Sequence, residues 1–147
     1  MKRLLLVLMT IGLMCCHAVP VLADDIWLHT GMLSKHFTAG DYNEDHELIG
    51  IEYNDWYVGY YPNSNYEDSF FILKNKRWYE VSDNIHLGYR YGIITGYAYG
   101  VEIGDVEVAP AFVPVVFFDY EPVSFDLNVL GPIVAIELKW KLWTFGS

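Results

Sequence analysis

Two short polar stretches hold the densest gathering of residues able to do covalent chemistry. Ser34-Lys35-His36-Phe37 is followed closely by Asp41-Tyr42-Asn43-Glu44, and Pro62-Asn63-Ser64-Asn65 comes later. An imidazole that takes the proton of a serine hydroxyl turns that oxygen into a nucleophile, so a His36–Ser64 pair suits acyl transfer or ester hydrolysis. The same residues equally suit plain turns, because Asn and Ser bond their own backbone and a histidine at a rim is ordinarily solvated. The remaining histidines offer less. His29 stands beside Thr30 with no acid or base near it in sequence, His46 follows Asp45 in a charged loop, and His86 would face inward near a turn. Asp68-Ser69 is a competing acid–hydroxyl pair. Spacing of the His-x-x-x-His kind is missing, and no metal ligand or cofactor is assigned.

His36 and Ser64 can meet only if the elements before them end at the same place. What recurs along the chain is alternation: Val123, Phe125, Leu127 and Val129 against Ser124, Asp126 and Asn128, and Ile136, Leu138, Trp140 and Leu142 against Glu137, Lys139 and Lys141. Successive side chains of a strand point to opposite faces, so each such segment has an oily and a polar side. With turn chemistry marking the breaks, the pattern predicts eight strands at about 26–37, 47–54, 56–61, 67–81, 85–98, 106–118, 122–129 and 133–145. Strands one and three then run in the same direction, which places His36 and Ser64 at one rim.

Eight is an even number, and most of these strands approach the ~9–11 residues that cross a bilayer at a tilt. The expected fold is all-β: an eight-stranded antiparallel up-and-down transmembrane β-barrel. A lipocalin-like barrel or a β-sandwich would use the same alternation with the oily face turned inward. Aromatic content favours the inverted form, since 17% of the chain is Phe, Trp or Tyr, more than a small core can bury. Gly88, Gly92 and Gly96 share the inward parity, either as a ligand slot or as room for rings across the lumen. Pro110 and Pro114 lack the N–H a ladder needs, and mark either a weak lateral seam through which a lipid chain enters or a bulge that tightens curvature.

Composition sets the outer limits. The chain carries 9 basic and 19 acidic side chains for a net charge of −10, which repels phosphate backbones and argues against nucleic-acid binding. With 53% hydrophobic residues it is no disordered chain. Met1-Lys2-Arg3, the apolar run Leu4 to Cys16 and the small-residue ending Val21-Leu22-Ala23 read as a secretory signal peptide over 1–23, leaving one domain over 24–147. Both cysteines, Cys15 and Cys16, fall in the leader, so the remainder has neither disulfide nor cysteine nucleophile. All the aromatic residues follow Ala23, as expected for girdles at membrane interfaces.

The order Ser34-Lys35-His36-Phe37, Tyr42-Asn43-Glu44 and Tyr61-Pro62-Asn63-Ser64 resembles the lipid A palmitoyltransferase (PagP) family. Asn84-Ile85-His86-Leu87-Gly88, Pro110-Ala111-Phe112-Val113-Pro114 and Glu121-Pro122-Val123-Ser124-Phe125 continue the likeness over about residues 34–130. The resemblance implies a monomeric barrel in the outer membrane of a Gram-negative cell that moves an acyl chain from phospholipid to lipopolysaccharide at lipid A, without cofactor. It implies that the catalytic His falls on His36 and the Ser on Ser64, that the family's Asp falls on Asn63, and that Tyr42, Asn43 and Glu44 support them. Two rivals remain. One is a non-enzymatic barrel that shields the surface or binds a partner through Asp41, Glu44, Asp45, Glu47, Glu67 and Asp68. The other is a lipid A deacylase using the same Ser–His pair.

Overall fold

The computed structural model describes residues 25–144. The cleavage site expected after Ala23 lies outside them. Within them the chain forms β1 (Asp25–His36), β2 (Asp45–Tyr53), β3 (Trp56–Pro62), β4 (Asp68–Ser82), β5 (Ile85–Thr95), β6 (Val101–Ile103), β7 (Val106–Phe118), β8 (Val123–Leu130) and β9 (Ile133–Thr144). Every pairing is antiparallel; the order is β5-β4-β3-β2-β1-β9-β8-β7, and β5 pairs with β7 to close the cylinder. Eight long strands therefore make the expected barrel. β6 is a three-residue addition folded back on the start of β7.

The alternation resolves in the inverted sense. Along β2, His46, Leu48, Gly50 and Glu52 are buried while Ile49, Ile51 and Tyr53 are exposed. On β8 and β9, Ser124, Asp126, Asn128, Glu137 and Lys139 are buried, and Ile136, Leu138, Trp140 and Leu142 lie outside. Burying charge while exposing Trp and Leu is costly in water and favourable only where the outside is apolar.

Short turns join the strands at the rim that also holds the paired ends Asp25 and Thr144. Asn54 and Asp55 both adopt positive φ there (50° and 64°), the backbone of a two-residue hairpin turn whose twist matches its strands. Longer loops, 37–44, 63–67 and 96–100, crowd the opposite rim. The sequence places the end of strand five at residue 98; β5 stops at Thr95 because Gly96 turns the chain at φ 81°.

One irregularity governs the interior. In β1 the register slips between Thr30 and Met32 against both β2 and β9, with Gly31 at φ 70° as the extra residue of a bulge. Before it, Trp27 and His29 point inward; after it, His36 is buried while Leu33 and Phe37 are exposed. Parity changes by one, so Met32, Ser34 and His36 face the lumen. A second irregularity is a partial seam. β7 pairs with β5 continuously from Val108 to Phe118, but with β8 only from Val115 to Phe118. The stretch of β7 that holds Pro110 and Pro114 has no β8 partner.

Candidate functional site

The half of the lumen nearer the short turns is filled. Arg90, fully enclosed, donates to Asn75 Oδ1 at 2.9 Å and Asn128 Oδ1 at 3.0 Å, pairs with Glu137 at 2.6 Å, and bonds Asp126. Lys139 joins Asp126 at 2.8 Å to Asp119 at 2.6 Å, and Arg77 also holds Asp119, at 2.9 Å. His29 lies between Glu137 (Nδ1, 2.9 Å) and Glu52 (Nε2, 3.1 Å) and stacks on Tyr57. His29, Asp126 and Glu137 bring ligand-type atoms within 4.8 Å of one another. Arg90 and Lys139 already neutralise those two carboxylates, so the group reads as an ion network rather than a metal centre. Neighbours in sequence give His29 no acid; the fold gives it two.

The other half of the lumen holds a cavity of about 550 Å³. Met32, Leu48, Phe71, Leu73, Ile94 and Ala135 make its walls, and Tyr57, Arg90, Asn128 and Glu137 its floor. Ser34, His36, Tyr42, His46, Tyr61 and Ser64 stand around its upper part. On one side it is bounded by Pro110 to Val113 and by Leu130, Pro132 and Ile133, which flank the stretch where β7 lacks its partner. Pro110 thus borders the cavity, and both prolines lie in the stretch of β7 without a β8 partner. They also remove two N–H donors from an edge that would otherwise present them unpaired.

His36 closes β1, and the bulge turns it inward. Its ring stacks on Tyr42 with centroids 4.2 Å apart and is almost wholly buried, yet neither ring nitrogen has a hydrogen-bond partner. The nearest ionic group is Glu44 Oε1, 3.6 Å from Nδ1 and beyond hydrogen-bond reach. Glu44 is occupied elsewhere: its carboxylate accepts the His36 backbone N–H at 3.0 Å and the Lys35 ammonium at 3.0 and 3.2 Å, which hold its carboxyl below the usual value. A buried polar group left unbonded is costly and uncommon, and this one lines the cavity.

Loop 37–44 is sewn to loop 63–67. The Asn43 backbone N–H donates to Ser64 O at 3.0 Å, and the Asn43 amide donates to the carbonyls of Pro62 and Asn63. His36 and Ser64 consequently line the same cavity, as their rim placement predicts, but no hydrogen bond joins them. Asn63 departs from its expected place. It does not line the cavity; its Oδ1 accepts from the backbone of Asn65 (2.8 Å) and Glu67 (3.1 Å), and its Nδ2 donates to Gly96 O (2.7 Å) and Ser69 Oγ (3.1 Å). An amide that both accepts and donates ties its own loop to the Gly96 turn and to the start of β4, which a carboxylate cannot do. Gly88, Gly92 and Gly96 likewise stand off the cavity. A Cβ on Gly88 or Gly92 would strike the β4 backbone at Lys76 or Ile72, and one on Gly96 would meet Asp68 O at 2.6 Å. They allow close approach of neighbouring chain rather than a ligand slot. Asp68 and Ser69 face apart, the first accepting from Tyr60 and the second bonding Asn63.

Sequence reasoning misses the pairing of Ser34 with His46. Ser34 Oγ lies 2.9 Å from His46 Nε2, and His46 Nδ1 lies 2.6 Å from Pro62 O. The strand pattern predicts β2 from residue 47, two positions late, which leaves His46 in a loop. Its alternation with Leu48, Gly50 and Glu52 is the signal that would have moved it indoors.

No family model matches the chain, and neither does any curated protein. The fold and site themselves define a small closed antiparallel barrel, apolar outside and polar within, with a chemically equipped cavity under one rim.

Proposed function

We propose that this protein is an outer-membrane barrel that receives a lipid acyl chain in its cavity and transfers it from phospholipid to lipid A. The observation that carries the reading is the cavity's form. Its walls are apolar, its upper part bears the unbonded imidazole of His36 and the Ser64 hydroxyl, and it reaches the unpaired stretch of β7 beside Pro110. A pocket of this size with apolar walls and few polar groups suits the tail of a lipid, with the ester held near the polar end. Barrels of this class place short turns toward the periplasm, so the loops and His36 would lie at the outer leaflet.

In this reading the protein acts as a monomer on membrane lipids and needs no cofactor. His36 takes the proton of the attacking hydroxyl, Ser64 orients the ester at the rim, and Tyr42, Asn43 and Glu44 hold His36 in place. The test is mass spectrometry of lipid A from cells with and without the protein. The expected result is lipid A one acyl chain heavier, an increment lost in His36→Ala. Unchanged lipid A in cells whose outer membrane contains the folded barrel overturns the proposal.

A further inference from the structure

We infer that Ser34 and His46 form a second nucleophile–base pair in this cavity, at which Ser34 is acylated by the carboxylic ester of a phospholipid. The inference deepens the reading above and rests on it for the choice of substrate. The hydrogen-bond chain fixes the roles. A carbonyl can only accept, so His46 Nδ1 carries the hydrogen that goes to Pro62 O at 2.6 Å. In the neutral ring Nε2 is then a lone pair, and the Ser34 hydroxyl donates to it at 2.9 Å. Hydroxyl, imidazole and an orienting acceptor in series are the arrangement that activates a serine, with a backbone carbonyl here in the orienting position. Tyr61 packs edge-on to the His46 ring with centroids 5.6 Å apart and restricts its rotation. Both Ser34 and His46 line the lipid-sized cavity.

The step balances without an added reactant. Ser34 Oγ attacks the ester carbonyl as its proton passes to His46 Nε2. Collapse of the tetrahedral intermediate breaks the ester C–O bond, and the departing glycerol oxygen takes that proton. The acyl group remains as an ester of Ser34. Water or an acceptor hydroxyl then attacks this ester, gives its proton to His46, and releases Ser34 Oγ, which regains it. With water the net reaction is hydrolysis; with a sugar hydroxyl it is transfer.

The full chain, folded in phosphatidylcholine vesicles, is to be treated with a long-chain alkyl fluorophosphonate and the modified peptide located by mass spectrometry. Release of lysophosphatidylcholine is followed in parallel. The expected adduct lies on Ser34, and labelling falls at least tenfold in His46→Gln but not in the exposed-site control Ser82→Ala. The wild-type peptide map identifies the serine without relying on any variant's folding. Adduct on Ser34 without lysophospholipid release sustains the dyad and counts against the lipid reading. Lysophospholipid release with the adduct elsewhere, or with none, overturns the dyad and leaves the lipid reading standing. The absence of both adduct and release overturns the dyad, and the lipid A measurement decides the lipid reading separately.

Discussion

Replacing Asn63 by aspartate separates a structural amide from a catalytic acid. The resemblance to lipid A palmitoyltransferases implies an Asp at this position, so Asn63→Asp would restore the reaction if the residue worked on substrate. The geometry requires the opposite. A carboxylate keeps the two bonds that Oδ1 accepts from Asn65 and Glu67 but loses both that Nδ2 donates. Ser69 can turn its hydroxyl to donate; Gly96 O cannot, and would face an anionic oxygen across what is now a 2.7 Å bond. A stranded buried acceptor costs about 1–3 kcal/mol, and the buried charge beside it brings the total to about 2–4 kcal/mol. At a urea dependence of roughly 2 kcal/mol per molar, the unfolding midpoint should fall by about 1–2 M. The loss should shrink in acid, where the introduced carboxyl, once protonated, can again donate to Gly96 O, whereas Asn63→Ala should stay destabilised at every pH. Urea titrations of the barrel in vesicles, read by tryptophan fluorescence at neutral and acid pH, measure all three. An Asn63→Asp barrel as stable as wild type and faster in acyl transfer would refute the argument.

The lumen gives two further expectations. His29 faces a carboxylate oxygen with each ring nitrogen, so both must donate; His29→Gln offers an acceptor to one of them and should cost about 3–5 kcal/mol, much of it recovered when Glu52→Gln is added, as a double-mutant cycle in urea would report. At the short-turn rim, burial opposes ionisation of Asp119, but hydrogen bonds and charge from Arg77 and Lys139 prevail and hold its carboxyl below the usual 3.8. A depressed folded-state value means stabilisation present above that figure and lost as pH falls below it, so the acid limb of a stability–pH curve should flatten in Asp119→Asn.

Alternation carried most of the fold. On β8 and β9 the runs from Val123 and Ile136 identify strands, faces and pairing partners because nothing interrupts the two-residue period. Closure followed from the even strand number, and the inversion from more aromatic residues than a small core holds. Three things were illegible for identifiable reasons. β6 is too short for a period to show, and Gly104-Asp105 looks like part of a longer loop. Asn63 looked chemical because Asn and Ser at a turn carry the same letters whether they bond substrate or backbone; only the positions of Gly96 O and Ser69 Oγ tell them apart. The Ser34–His46 contact depends on two strands meeting in a register set by a bulge, which no local pattern announces.

That bulge connects the two halves of the barrel. Were Gly31 paired as a regular strand residue instead of bulged out, the parity that sends Trp27 and His29 inward would continue to Leu33, Lys35 and Phe37, and Ser34 and His36 would face the outside. One inserted residue therefore lets a single strand serve two environments. Its first half supplies His29 to an ion network, in which Glu52 is held by Arg77, Asp126 by Arg90 and Lys139, and Glu137 by Arg90. Its second half supplies hydroxyl and imidazole to a cavity where His36 nitrogens are left unbonded. The network makes that second condition sustainable: strands β1, β2, β5, β8 and β9 are clamped to one another through Arg90, Lys139 and His29 below the cavity. The upper half can then forgo β7–β8 pairing and leave polar atoms open without the cylinder losing its shape. Cross-linked by ion pairs at one end, the barrel leaves its β7–β8 pairing incomplete and its cavity under the loops at the other.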